Sequence, residues 1–135
     1  MPSSIFELTS SVAVAPISAK SRPVKAASDE ATTLTAAECV QGIVTMTPSA
    51  GRALTTPTGA VLKTFFDGRL EIGASFELTV VNVAAATHAI TLTAAASGIT
   101  LGGVAGMAAV AAAASASYVF VCTAVGTPAF TVYRK

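Results

Sequence analysis

Few side chains in this sequence are of the types that perform catalysis, and they are scattered along the chain. The single histidine is His88, and no residue near it in sequence is of a type that orients or activates an imidazole. The carboxylates beyond residue 28 show no spacing that would pair two of them for acid and base catalysis: Asp29, Glu30, Glu38, Asp67, Glu71 and Glu77. We therefore interpret His88 as a polar turn residue, and the sequence predicts a protein that is not an enzyme and holds no cofactor.

The two cysteines and the glycines give no stronger signal. Cys39 and Cys122 are too far apart in sequence to suggest a metal site or a disulfide framework, so we interpret both as buried free thiols. Serines are numerous, but no G-x-S-x-G turn appears, and Walker, Rossmann and zinc signatures are absent from the sequence. Function is therefore expected in surfaces rather than in a catalytic or metal site.

The charge pattern indicates a protein that associates with other protein chains. Only 11% of the residues are charged, against about 25% in ordinary soluble domains, and no charged residue lies between Glu77 and Arg134. Depletion of charge is typical of interface centres, so we predict a homo-oligomer, most simply a trimer, with Val119 and Val121 in its interface. The net charge of +1 gives no electrostatic basis for binding nucleic acid.

One uncharged stretch, residues 103–125, is long enough to cross a bilayer as a helix. Its first half is mostly alanine and glycine, which contribute little to membrane insertion. Its second half, Ser115 to Thr123, is rich in β-branched and aromatic residues and favours a strand. We interpret the stretch as a loop followed by a buried strand, and we predict no membrane association.

Composition changes near residue 30, which divides the sequence into an arm and a domain. Residues 1–30 contain three prolines and no sustained hydrophobic period. The segment is either a tail or an extended arm that becomes ordered on a neighbouring subunit. In the second interpretation its scattered apolar side chains would be the anchors that bind the partner: Ile5, Phe6, Leu8, Val12, Val14 and Ile17.

Residues 31–135 show short alternating segments separated by turn residues. Thr58 is expected to cap a short helix over 58–66 whose Val61, Leu62, Phe65 and Phe66 are core candidates. Residues 74–83 and 88–95 are expected to pair as a hairpin, and "ASYVFVCTA" is expected to pair with "AFTVYRK". The sequence predicts an all-β domain over 31–135: an antiparallel sandwich or jelly-roll-like barrel with one short helix, preceded by the extended N-terminal arm.

The runs "LTAAECVQGIVTMTPSAGRALTTPTGAVLKTFF", "GASFELTVVN", "HAITLTAAASGITLGG" and "FTVYRK" resemble small β-domains among the virion structural proteins of tailed phages and large DNA viruses. The resemblance covers about residues 31–135 and consists of turn and strand patterns. It implies a capsid decoration or cement protein, commonly trimeric, that locks neighbouring major capsid proteins together on the capsid surface after assembly in the host cytoplasm. No binding motif can be carried over residue by residue.

Two other functions remain open from the sequence. A tail, fibre or host-attachment module would present its Thr- and Ser-rich strands to receptors or sugars. A small hydrolase or other enzyme is disfavoured, because the polar groups that a site needs do not converge in the sequence.

Overall fold

The computed structural model describes residues 21–103 and 106–135, which form two mixed β-sheets and two short helices. The strands are β1 Val24–Ala26, β2 Thr32–Thr33, β3 Ile43–Met46, β4 Arg52–Thr55, β5 Ser75–Asn82, β6 Ile90–Thr93, β7 Ile99–Leu101, β8 Ala109–Val110, β9 Ala114–Ala124 and β10 Ala129–Arg134. The helices are α1 Ala36–Gln41 and α2 Gly59–Phe66. One sheet has the strand order β1-β3-β5-β9-β10-β7 and the other has the order β2-β4-β6-β8.

The first six strands follow a coiled path. The chain alternates between the two sheets, and each return to a sheet adds a strand parallel to the previous one. These three pairs of strands (β1 with β2, β3 with β4, β5 with β6) are called rungs below. Val24 lies opposite Ile43, so equivalent positions of the first two rungs are 19 residues apart (24 to 43) in the six-stranded sheet. In the four-stranded sheet, Thr32 lies opposite Leu54, a spacing of 22 residues (32 to 54).

The last third of the chain completes both sheets with strands of the opposite direction. β9 runs antiparallel to both β5 and β10, and β8 runs antiparallel to β6. The predicted pairing of the last two strands is confirmed, with a register shift between Ala129 and Phe130.

The predicted antiparallel sandwich or jelly-roll-like barrel is wrong, because five of the eight strand pairings among the described residues are parallel. The predicted hairpin between 74–83 and 88–95 is also wrong. β5 belongs to the six-stranded sheet and β6 to the four-stranded sheet, so the connection crosses from one sheet to the other. Alternation along a strand reveals which side chains share a face, but it does not specify the partner strand or its direction.

Two helices are present where the sequence predicted one. α1 occupies part of a segment interpreted as a strand, and it begins with a capping box in which Thr35 and Glu38 satisfy each other's backbone N–H groups. The predicted cap of α2 is confirmed, since the Thr58 side chain accepts a hydrogen bond from the Val61 N–H at 3.2 Å.

Only part of α2 faces the core. Leu62 is fully buried and Phe66 is half-buried, whereas Val61 and Phe65 are 47% and 38% exposed. Val61 and Phe65 form one i, i+4 stripe and Leu62 and Phe66 form the next, about 100° further around the helix. The second stripe alone packs inward, so half of the predicted core set is wrong.

The core lies between the two sheets and includes side chains from both and from the two helices. At its centre, the rings of Phe76 and Phe120 stack with centroids 4.7 Å apart. Cys39 and Cys122 are both buried and neither forms a disulfide, as predicted. Burial raises the pKa of the Cys39 thiol far above its usual range.

One buried polar side chain links the two sheets. The Asn82 amide nitrogen donates to the carbonyl oxygens of His88 at 2.8 Å and Val110 at 2.9 Å. Its oxygen accepts from the Ala84 N–H at 3.0 Å. Asn82 therefore fixes the point where the chain leaves β5 and crosses towards β6.

Replacing Asn82 by leucine should lower the free energy of unfolding by about 2–4 kcal/mol, because two carbonyls and one N–H would lose their partner in a buried site. Chemical denaturation monitored by circular dichroism measures this change. Thr87→Ala, in the exposed bend nearby, should change stability by less than about 0.5 kcal/mol. Equal effects of the two substitutions would contradict the bridging role of Asn82.

The described part of the predicted arm, residues 21–30, contacts the sheets. β1 is the terminal strand of the six-stranded sheet, and the predicted boundary at 30/31 falls between β1 and β2. The Asp29 carboxylate accepts hydrogen bonds from the Arg52 guanidinium at 2.7 Å and from the Ser49 N–H at 3.0 Å. These bonds, that from Arg52 above all, hold the pKa of the Asp29 carboxyl well below its usual range.

Acidification should remove the contribution of Asp29 to stability. A carboxyl with a lowered pKa in the folded state stabilises the protein above its unfolded pKa of about 3.9, and this stabilisation is lost as the pH falls from there towards the folded pKa. The difference in Tm between the unmodified protein and Asp29→Asn should therefore be largest near neutral pH and shrink below about pH 4. Thermal denaturation across this pH range provides the test, with the exposed Glu71→Gln as a control. A difference that did not depend on pH would contradict the assignment.

Candidate binding surface

The outward face of the six-stranded sheet is the broadest regular surface of the described residues, and we call it the open face. Both helices direct their buried side chains into the core between the sheets rather than onto this face. On β9, Tyr118, Phe120 and Cys122 are buried, so the alternate residues Val119 and Val121 point outward and are half-buried. The open face thus consists of the positions that alternate with the core residues on each strand.

Strand pairing arranges these outward residues in rows across the sheet. One row contains Val24, Ile43, Thr79 and Ser117, and the next contains Ala26, Thr45, Val81 and Ser115. On the other side of the Thr79 row lie Glu77, Val119 and Tyr133, followed by Ser75, Val121, Thr131 and Thr100. The rows present methyl groups and hydroxyls at the regular spacing of a sheet.

Most polar side chains on the open face are hydroxyls, and the charged ones that contact it lie near its borders. The Glu77 carboxylate pairs with the Lys135 ammonium at 3.4 Å, and both groups are partly exposed. The Arg22 guanidinium donates to the Gly42 carbonyl at 3.3 Å and to the Thr79 hydroxyl at 3.2 Å. In the interior, the hydroxyls of Thr79 and Ser117 are 3.0 Å apart and bond to each other. A partner that covered these residues would bury little unpaired charge.

The dimensions of the open face suit a protein partner. Six strands about 4.8 Å apart span about 24 Å, and the eight residues of β5 extend about 26 Å. The resulting area of about 600 Å² approaches the roughly 800 Å² that each protein contributes to a stable interface of standard size. Tyr133, 49% exposed, adds an aromatic side chain of the kind that interfaces favour.

The two residues predicted for the oligomer interface, Val119 and Val121, lie together in the middle of the open face. The six predicted arm anchors, Ile5, Phe6, Leu8, Val12, Val14 and Ile17, lie outside the described residues. The analysis of the sequence missed Thr79, Thr131 and Tyr133 as members of the same surface. Their alternation with buried residues was visible in the sequence, but their position beside Val119 and Val121 depends on strand pairing.

The chemically versatile side chains of the described residues do not form a reactive centre. His88 follows the bend at 85–87, and its carbonyl oxygen is one of the two that bind Asn82. The Tyr118 hydroxyl donates to the carbonyls of Met107 and Ala108, and burial raises the pKa of that phenol. Within residues 21–103 and 106–135, no three His, Cys, Asp or Glu side chains come close enough to bind a metal ion. Neither helix in these ranges has the length and apolar character of a membrane span.

Comparisons with known proteins identify no relatives. The chain matches no protein-family model, and it is significantly similar to no curated protein and to no solved structure.

Proposed function

We propose that the chain is a structural protein of a virion that decorates the capsid surface and stabilises the shell by binding neighbouring major capsid proteins. The observation that carries the proposal is the open face, a broad sheet surface whose interior offers only methyl groups and hydroxyls. Such a surface suits permanent association with protein, because it can be covered without burying unpaired charges. The resemblance of the strand and turn patterns to small virion β-domains supports the same function.

The proposed protein acts as a homo-oligomer, most simply a trimer, in which the open faces contact one another around Val119 and Val121. Oligomerisation would multiply the contacts of each particle-bound unit with the capsid, so a modest affinity per copy would suffice for stable retention. The N-terminal arm is the part of the proposal that rests on the sequence alone, because its anchors lie outside the described residues.

Co-sedimentation with undecorated capsids tests the proposal. The unmodified chain should be retained on the particles in a saturable manner, and Val119→Asp should be retained about tenfold less because weakened oligomers lose multivalent binding. Val119 lies directly opposite Glu77 on the neighbouring strand, so an aspartate there also creates a repulsive pair of like charges. Circular dichroism of the variant establishes that it remains folded.

Thr91→Asp is the matched control, because Thr91 is an exposed strand residue of the other sheet. It should be retained like the unmodified chain. Absence of saturable retention of the unmodified chain on the capsids would overturn the proposal, and equal retention of Val119→Asp and Thr91→Asp would remove the open face from it.

A further inference from the structure

The stack of rungs has an open end at β1 and β2. Each is the terminal strand of its sheet among the described residues, and both lie at the same end of the stack. The Ala27 N–H bonds to the Thr45 carbonyl at 2.8 Å, and the Ile43 N–H bonds to the Pro23 carbonyl at 3.1 Å. Alternate residues of a strand direct their backbone groups to the same side, so Val24 and Ala26 direct theirs away from β3. The open end therefore offers backbone donors and acceptors to a further strand.

The side chains at this end also leave apolar surface exposed. Val24 is 62% exposed, although a valine on an edge strand would ordinarily be covered or replaced by a polar residue. A shallow depression of about 250 Å³ lies beside it, lined by Pro23, Val24, Lys25, Ala37 and Glu38. The Lys25 ammonium pairs with the Glu38 carboxylate at 3.2 Å, which satisfies the charges on this lining. The depression thus offers apolar surface without an unpaired charge between these two groups.

The spacing of the described rungs predicts which residues would extend the stack. Lys25 lies opposite the buried Val44, so Lys25 and Ala27 occupy inward positions of the first rung. Counting back the same 19 residues from these two positions reaches Phe6 and Leu8. Both are apolar, and Glu7 between them falls at an outward position. The sequence thus has the inward and outward alternation that a strand beside β1 requires.

The same count works for the second sheet. Thr32 lies opposite Leu54, which is fully buried, and Leu34 is also buried, so these two positions face inward. Counting back about 20 residues, close to the spacings between the first two rungs, reaches Val12 and Val14. The four positions that would point into the core are therefore all apolar, as in the rungs that the structure describes.

We propose that residues 5–14 of the same chain form a further rung on the open end, with 5–8 parallel to β1 and 12–14 parallel to β2. The connection from 15 to 23 has nine residues, the same number as the connection from 34 to 42 between β2 and β3. The rung would cover Val24, bind the outward-directed backbone groups of β1 and β2, and close both sheets at this end. Terminal coverage of this kind is a general requirement of stacked repeats.

This inference does not rest on the proposed function, since it concerns the isolated chain. It assigns the side chains of Phe6, Leu8, Val12 and Val14 to the core of their own subunit, whereas the sequence alone predicted them to bind a neighbour. If they belong to the rung, attachment to a capsid falls to the surface of the two-sheet domain.

Disulfide formation across the proposed pairing tests the inference in the full-length chain. Ile5 falls opposite Val24 in the proposed register, and parallel neighbours lie about 4.8 Å apart, within the Cα separation that a disulfide requires. Ile5→Cys combined with Val24→Cys should therefore form an intrachain disulfide under mild oxidation. The control combines Phe6→Cys with Val24→Cys, because residues 6 and 24 would then lie on opposite faces of the sheet. Cys39 and Cys122 are buried, which protects them from taking part.

The yield of intrachain disulfide, measured by peptide mapping, should be about tenfold higher for the 5/24 pair than for the 6/24 pair. The two pairs close loops of nearly the same length, so equal yields would mean that this register does not exist and would overturn the inference. Disulfides between chains would overturn it in favour of arm exchange between copies. Amide hydrogen exchange in the full-length chain gives a second readout: Val24 and Ala26 should be protected, and Phe6→Asp should accelerate their exchange by about tenfold or more. Fast exchange at both amides in the unmodified chain would also overturn the inference.

Discussion

Replacing Phe120 by alanine should lower the free energy of unfolding by about 3–5 kcal/mol, the usual cost of deleting a fully buried phenylalanine ring. Phe120 lies on β9, which pairs with β5 and β10 and so joins the parallel rungs to the last strands of the chain. Its ring stacks on that of Phe76 at 4.7 Å, and Phe76 also contacts the ring of Phe130 at 5.9 Å. Strands on both sides hold these neighbours in place, so the cavity cannot collapse readily.

Equilibrium denaturation in urea measures this loss, and Phe65→Ala is the control. Phe65 is on the exposed stripe of α2, so its removal should cost less than about 1 kcal/mol. A loss below about 1 kcal/mol for Phe120→Ala would contradict the placement of this ring at the centre of the core.

Replacing Val121 by lysine should dissociate the proposed homo-oligomer. Val121 lies on the open face between Ser75 and Thr131, so a lysine there would place an ammonium among hydroxyls and methyl groups in the interface. Burying a charge without a partner costs several kcal/mol, which corresponds to about a 100-fold or greater rise in Kd. Sedimentation velocity at micromolar concentration should therefore show an oligomer for the unmodified chain and a monomer for the variant.

Thr91→Lys supplies the matched comparison on the four-stranded sheet. Thr91 is an exposed outward residue of β6, opposite Ala53 and Ala109. This variant should sediment as the unmodified chain does. If the unmodified chain is a monomer at micromolar concentration, or if Thr91→Lys dissociates the oligomer as strongly as Val121→Lys, the interface on the open face is wrong.

The candidate surface was predictable in part from the sequence. The charge-free run after Glu77 and the alternation around Val119 and Val121 located two of its residues, because both are local properties of the chain. The extent of the surface was not predictable. Thr79 and Tyr133 lie in rows with residues that are distant in sequence, and hydrogen bonding between strands decides which residues become neighbours.

What the sequence determined by itself was local: the strand character of most segments, the cap at Thr58, the outward and inward alternation on β9, and the turn between β9 and β10. These features depend on side chains within a few residues of one another, such as a threonine hydroxyl and the N–H three positions later. Tertiary structure alone decided that β1, β3 and β5 run parallel, that β5 and β6 belong to different sheets, and that Leu62 rather than Val61 faces the core. The physical reason is that a strand presents the same alternation to a parallel and to an antiparallel neighbour, so the choice depends on how the whole chain buries its apolar faces together.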